Sequence, residues 1–95
     1  MTLQEKMKTL GYRSERSLCL ESSHRERFAK RSKDLYMSST IIFFKAPGAY
    51  TVLEDYFLLA SAIKKDQDIK RIQIEWNNLK RDVEEIKKFL EEQHQ

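Results

Sequence analysis

The longest regular pattern of apolar and polar positions lies in the last third of the chain. Apolar residues recur there at alternating spacings of three and four, and charged residues fill most of the positions between them. This spacing is typical of one face of an amphipathic helix and also fits the a and d positions of a heptad repeat. We therefore predict a long helix over about 67–93. Its apolar stripe consists of Ile69, Ile72, Trp76, Leu79, Val83, Ile86 and Leu90, widened by Phe89.

A second helical pattern precedes this helix. Thr51-Val52-Leu53-Glu54 has the spacing of a capping box, and apolar residues then recur at helical intervals to about residue 64. The link over 64–68 contains no Gly or Pro, so the segment could form a helical hairpin or one helix running unbroken from 51 to 93. We favour the hairpin, because the first helix is too apolar to stand alone in water.

The chain begins with the signals of a short helix over 3–10. Thr2 and Glu5 have capping-box spacing, and Leu3, Met7 and Leu10 form an apolar stripe. Gly11 follows where a helix end favours a left-handed residue. Because so few residues cannot hold a helix in isolation, this stripe must pack against another part of the protein.

The segment from 12 to 48 has mixed signals. Weak alternation favours a short strand over 17–20, and a serine cap followed by many charged residues favours a basic helix over 23–35. An unbroken run of β-branched and aromatic residues favours a strand over 40–45. Ala46-Pro47-Gly48 would close that strand in a type II turn.

Together these elements predict a mainly α fold that ends in a helical hairpin or a coiled-coil-like helix. One or two short central strands would make it α+β. The 95 residues suffice for one small domain, in which 1–48 is the basic part and 49–95 the hairpin. The 2 glycines and 1 proline also favour helices over many short strands.

The lengths of the predicted helices indicate an interface. A helix over 68–93 would be about 39 Å long, whereas one over 51–64 would span only about 20 Å. The far end of the stripe would then lie uncovered, and each exposed large apolar side chain forgoes roughly 1.5–3 kcal/mol. We therefore predict that the stripe binds another helical protein or a second copy of the chain as a dimer, with Trp76 as the anchor.

Charge is unevenly distributed along the chain. Of its 18 Lys and Arg and 15 Asp and Glu, residues 1–48 hold ten and five, and residues 49–95 hold eight and ten. The basic part is therefore where a polyanion would bind. The candidate nucleic-acid contacts are Arg25, Arg27, Lys30, Arg31 and Lys33.

Two interpretations of this basic part remain open. A weak strand, a basic helix and a second apolar segment have the order of elements in a ribbon-helix-helix dimer, whose paired strands read the DNA major groove. The strand would present Glu15, Ser17 and Cys19, however, which are poorly suited to reading bases. The alternative is a solvated helix face with no ligand.

Candidate chemistry is sparse. Cys19 and His24 are the only thiol–base pair that spacing allows, and neither a third group nor a glycine-rich loop supports them. One cysteine and two distant histidines do not form a zinc site. We predict no enzyme activity, no catalytic or metal residues, no cofactor and no small-molecule substrate, with Cys19 packing as a small apolar residue.

The cysteine content, the apolar runs and the first residues of the chain indicate its cellular compartment. A lone cysteine suits a reducing compartment, no apolar run approaches the ~20 residues that cross a bilayer, and the first residues do not resemble a signal peptide. We predict an intracellular protein, in the cytoplasm or in a host cell if viral, neither secreted nor membrane-bound.

The predicted function is therefore that of a small non-enzymatic regulatory or interaction protein. It would self-associate or bind a partner through its C-terminal amphipathic helix. The alternative is a dimeric DNA- or RNA-binding regulator that contacts phosphates through its basic N-terminal half.

Overall fold

The fold combines an antiparallel sheet with one long helix. The structure is a computed structural model that describes residues 1–15, 24–32, 36–45, 51–61 and 66–93. A four-stranded sheet has the order β1-β2-β3-β4. The mainly α prediction, with its coiled coil and helical hairpin, is therefore wrong. Within the described ranges the elements are α1 (Leu3–Thr9), β1 (Arg13–Glu15), β2 (Arg25–Arg31), β3 (Met37–Lys45), β4 (Thr51–Ala60) and α2 (Asp66–Gln93).

Helix α1 forms as its sequence predicts. The Thr2 hydroxyl accepts a hydrogen bond from the Glu5 backbone N–H at 3.2 Å, and the Glu5 carboxylate accepts one from the Thr2 N–H at 3.0 Å. This is a complete capping box. Met7 is buried, and Leu3 and Leu10 pack against the core, so the predicted stripe is confirmed.

The end of α1 is also as predicted. Gly11 has a φ of 92°, the left-handed region that glycine adopts at low cost. Its N–H donates to the Lys8 carbonyl at 3.0 Å, and the Tyr12 N–H donates to the Met7 carbonyl at 2.9 Å. These two bonds form a Schellman motif, which turns the chain from α1 into β1.

The segment predicted as a basic helix is strand β2, so the helix over 23–35 and the ribbon-helix-helix order are wrong. Residues of β2 pair with β1 on one side and with β3 on the other. Phe28 is its one large apolar residue on the core face and is 2% exposed. Because charged residues flank Phe28, the strand shows little apolar alternation, and its pairing on both sides outweighs local preference.

The segment predicted as the first helix of the hairpin is strand β4. The register shifts between Ile42 and Phe43 of β3, which pair with Asp55 and Leu53 of β4. Glu54 is therefore an extra residue, a β-bulge. The bulge places Leu53 and Tyr56 on the same face, three positions apart, and so imitates helical spacing in a strand.

Strand β3 and helix α2 confirm their predictions, and both are slightly longer than expected. The strand predicted over 40–45 extends over Met37–Lys45, and the helix predicted over 67–93 extends over Asp66–Gln93. The predicted strand over 17–20, the turn at 46–48 and Cys19 lie outside the described residues.

The core lies between α2 and one face of the sheet. Leu79, Val83, Ile86 and Leu90 of α2 are buried there. Against them the sheet contributes Phe28, Ile41 and Phe43, and the Phe28 and Phe43 rings meet edge to face with centroids 5.6 Å apart. Farther along, Trp76 stacks on Tyr56 at 5.8 Å.

Candidate functional site

The face of the sheet that points away from α2 is the candidate site. Partners across an antiparallel sheet point to the same side, so the register assigns every strand residue to one face. No described helix packs on this side. We call it the open face. Its members are Arg13, Glu15, Arg25, Arg27, Ala29, Arg31, Ser38, Thr40, Ile42, Phe44, Val52, Asp55, Phe57 and Leu59.

Arginines line one half of the open face. Arg25 and Arg27 are two positions apart on β2, and Arg31 is four positions beyond Arg27 on the same face. Arg13 of β1 pairs with the residue between them, Ala29 of β2. Successive residues on one face of a strand are about 6.8 Å apart, so these guanidinium groups form a row. The arginines share one surface because alternate residues of a strand point to the same side, and not because they lie on one face of a helix.

The other half of the open face is mainly apolar, although it also contains the exposed Asp55 of β4 and, on β3, Ser38 and the buried Thr40. Val52 is 43% exposed and Leu59 is 52% exposed, whereas Ile42, Phe44 and Phe57 are half-buried. Exposed large apolar side chains mark a binding site when they form a continuous surface, and here Phe44 and Phe57 lie on the same face as Val52 and Leu59. The face therefore changes from basic at β1 and β2 to apolar and aromatic at β3 and β4.

Arg25 connects the two halves. Its Nε and Nη2 donate to the two oxygens of Glu54 at 2.8 and 2.9 Å, a bidentate pair. Hydrogen bonds from Arg25 lower the pKa of the Glu54 carboxyl below its usual value. The Arg25 guanidinium also lies 5.7 Å from the centre of the Phe44 ring. The bulge at Glu54 thus places an acid where it holds Arg25.

Arg27 is held less completely. Its guanidinium lies 5.8 Å from the centre of the Phe57 ring, and its Nε is 3.7 Å from a Glu15 oxygen. That Nε is buried, and it makes no hydrogen bond with any described residue. A buried N–H without an acceptor is costly, so the position of this side chain depends on its contacts with Phe57 and Glu15.

Arg31 and Arg13 are the arginines of the face that have no charged partner among the described residues. Within the described part of the chain, neither guanidinium has a hydrogen bond, an ion pair or a ring contact. Arg31 lies between two open hollows, each of about 490 Å³. One of them also contains Tyr36, Ser38, Leu59 and Ser61, and the other contains Gly11, Arg13, Ser14 and Lys30.

Lys30 lies apart from the arginines, on the core face. Its Nζ donates to Asp82 at 3.0 Å and to the Leu10 carbonyl at 3.1 Å, and lies 4.6 Å from the centre of the Tyr12 ring. The Tyr12 hydroxyl donates to the same Asp82 oxygen at 2.8 Å. This cluster joins β2 and the end of α1 to α2, which is a structural role.

Ionisation of Tyr12 should make the protein less stable as the pH rises above 10. Burial raises the pKa of Tyr12 well above its usual 10.0, and the hydrogen bond to Asp82 adds to the rise. The unfolded chain therefore loses this proton first, so the stabilisation is complete below pH 10 and is lost as the pH rises above it. We expect Tyr12 to reduce the free energy of unfolding by about 1.4 kcal/mol per pH unit there.

Urea unfolding between pH 9 and 11.5, compared with Tyr12→Phe, measures this contribution. Tyr12→Phe leaves every other ionisable group of the chain in place, so the difference between the two slopes isolates Tyr12. Equal slopes would contradict the assigned environment of this tyrosine.

The predicted interface stripe on α2 is divided by the fold. Its second half is buried against the chain's own sheet. Ile69 is 51% exposed, whereas Ile72, Trp76 and Phe89 are half-buried. Binding of a partner by this helix stays a prediction. In the folded chain, only the four residues Ile69, Ile72, Trp76 and Phe89 of the stripe remain accessible to such a partner.

Several sequence candidates contribute little to the site. Lys33 and His94 lie outside the described residues. His24 is exposed beside Phe44, with ring centroids 6.4 Å apart. Sequence reasoning missed Arg13, Phe44 and Phe57, although the placement of Arg25, Arg27 and Arg31 on one face is visible once a strand is assumed.

No protein-family model, curated protein or solved structure matches this chain. None of the helices in the described part of the chain is long and apolar enough to cross a membrane.

Proposed function

We propose that this protein binds single-stranded nucleic acid on its open face and acts by binding, not by catalysis. The observation that carries the proposal is the row of β2 arginines beside an apolar, aromatic surface that no described helix covers. Phosphates would lie along the arginines, and bases would lie over β3 and β4.

The spacing of the arginines supports an extended strand as the ligand. The interval of about 6.8 Å between Arg25 and Arg27 is comparable to the separation of phosphates in an extended single strand, and Arg31 lies two such intervals beyond Arg27. Arginine also suits phosphate because its planar fork can donate two hydrogen bonds at once.

The aromatic half supports unpaired bases over a duplex. Single-stranded nucleic acid is held by stacking bases on aromatic rings or on guanidinium planes. Arg25 over Phe44 and Arg27 over Phe57 provide both kinds of surface, one above the other. In a duplex the bases are already stacked and cannot reach these rings.

Binding of a protein partner through α2 is the alternative, and its exposed apolar residues favour it less. Ile69 and Ile74 are 51% and 58% exposed. They are five positions apart, which places them about 140° apart around the helix. They therefore do not form one continuous stripe, whereas Val52 and Leu59 lie on the same face of the sheet as the rings of Phe44 and Phe57.

Fluorescence anisotropy with a labelled 12-nucleotide strand tests the proposal. We expect micromolar binding at 50 mM salt, at least about tenfold weaker binding to the matching duplex, and similar affinity for unrelated sequences. The slope of log K against log salt should be roughly −2, since each neutralised phosphate of a single strand contributes about −0.7. No binding at 50 mM salt, or equal affinity for the duplex, would contradict it.

A further inference from the structure

One of the two hollows beside Arg31 has the composition of an anion site. It opens at the β1 edge of the sheet and has a volume of about 490 Å³. Strand β1 is only three residues long, so β2 continues past it and leaves the hollow beside its last residues. The residues around it are Gly11, Arg13, Ser14, Glu15, Ala29, Lys30 and Arg31.

Two guanidinium groups can reach one ligand in this hollow. Arg13 pairs with Ala29, and Arg31 is two positions farther along β2 on the same face. Residues in this diagonal relation lie about 7–8 Å apart, well within reach of two arginine side chains. Neither guanidinium is held by any other described residue.

The other charged groups around the hollow have partners of their own. The Glu15 carboxylate lies 3.7 Å from Arg27. The Lys30 amine points to the core face and binds Asp82 there. Among the residues that the structure describes, the charge of the hollow that lacks a partner is therefore that of two arginines, which matches a dianion.

We propose that this hollow binds a phosphate monoester, and that the monoester is the terminal phosphate of the strand on the open face. The second part rests on the proposed function. A monoester carries about −1.5 to −2 charges at pH 7, whereas each internal phosphodiester carries only one. Two arginine guanidinium groups without another described partner therefore favour the terminal phosphate of a strand over an internal phosphodiester. Arg31 is the last residue of β2, so the hollow lies where the row of arginines stops.

The test compares one oligonucleotide in three forms: with a 5′-phosphate, with a 3′-phosphate, and with hydroxyls at both ends. At pH 7.5 one phosphorylated form should bind about tenfold more tightly than the hydroxyl form. The advantage should shrink at pH 5, because the monoester takes up a proton with a pKa near 6. Equal binding of all three forms at pH 7.5 would overturn the proposal.

Variants locate the effect. Arg13→Gln and Arg31→Gln should each reduce the advantage of the phosphorylated strand at least threefold. Arg81→Gln removes the same charge from an exposed position on α2 and should preserve the advantage. Loss of the advantage in Arg81→Gln to the same degree would show an effect of net charge and overturn the assignment to this hollow.

A mononucleotide separates this proposal from the proposed function. Adenosine 5′-monophosphate, but not adenosine, should shift the NMR signals of the Gly11 and Ser14 amides, and Arg31→Gln should abolish the shift. If this occurs while no oligonucleotide binds, the phosphate site stands and the proposed function fails. If oligonucleotides bind and neither phosphate has an effect, the function stands and this site fails. Inorganic phosphate that binds as tightly as the phosphorylated strand would overturn the strand end as the source.

Discussion

Replacing Ile86 with aspartate is expected to unfold the protein. Ile86 is 0% exposed and lies on α2 in the cluster with Phe28, Ile41 and Phe43. The substitution removes a large apolar side chain, which costs about 2–5 kcal/mol, and adds the desolvation of a carboxylate without a partner. A domain of this size has only about 5–15 kcal/mol of stability in total. Circular dichroism at 25 °C should show loss of both the helix and the sheet.

Ile74→Asp is the matched control. It makes the same chemical change on the same helix, at a side chain that is 58% exposed. Its effect on the free energy of unfolding should be within about 0.5 kcal/mol. If Ile86→Asp instead folds as stably as the wild type and only lowers the mass measured by sedimentation, the buried side of α2 is an interface between chains and the described core is wrong.

Reversing two charges on β2 is expected to abolish nucleic-acid binding. Arg27→Glu combined with Arg31→Glu places carboxylates at two positions where the proposed function puts phosphates. Repulsion replaces attraction at both positions, and we expect affinity to fall at least about 100-fold at 100 mM salt. The remaining salt dependence should be shallower by about 1.4, that is, 0.7 for each lost phosphate contact.

Lys80→Glu combined with Arg81→Glu controls for net charge. Both residues are exposed on α2, away from the open face, and the change in charge is identical. This variant should bind within about threefold of the wild type at the same salt. Thermal unfolding of both variants shows whether they remain folded. Equal loss of binding in the two variants would mean that attraction is a matter of overall charge and that the open face is not the site.

The helices could be predicted because their signals are local. The capping box and Gly11 define α1 within a dozen residues. The apolar stripe of α2 repeats without interruption over many turns. Neither pattern depends on what the helix packs against, so the sequence is sufficient for both.

Strands β1, β2 and β4 were not predicted, and β2 and β4 were missed for non-local reasons. In β2, charged residues surround Phe28, and only pairing with β1 and β3 makes the segment extended. In β4, the bulge at Glu54 changes a spacing of two into one of three between apolar residues of one face. A bulge depends on the partner strand, and no local rule in the sequence marks it.

The prediction that part of the apolar stripe of α2 would lie exposed rested on the wrong packing partner for this helix. A helix over 51–64 would have been too short, but the element beneath α2 is a sheet. Its core face and α1 together bury Leu79 to Leu90. The site was missed for the same reason: the sequence identified the basic residues, but their grouping depends on whether the period is that of a strand or of a helix.

One measurement tests most directly the claim that the open face binds nucleic acid while α2 faces the core. NMR spectra of the full chain would be recorded during addition of an unlabelled single strand of 10 nucleotides. The Nε–H signals of Arg25, Arg27 and Arg31 and the ring signals of Phe44 and Phe57 should shift, and the indole N–H of Trp76 should not. Shifts at Trp76 and along α2, with unchanged arginine and phenylalanine signals, would contradict the account.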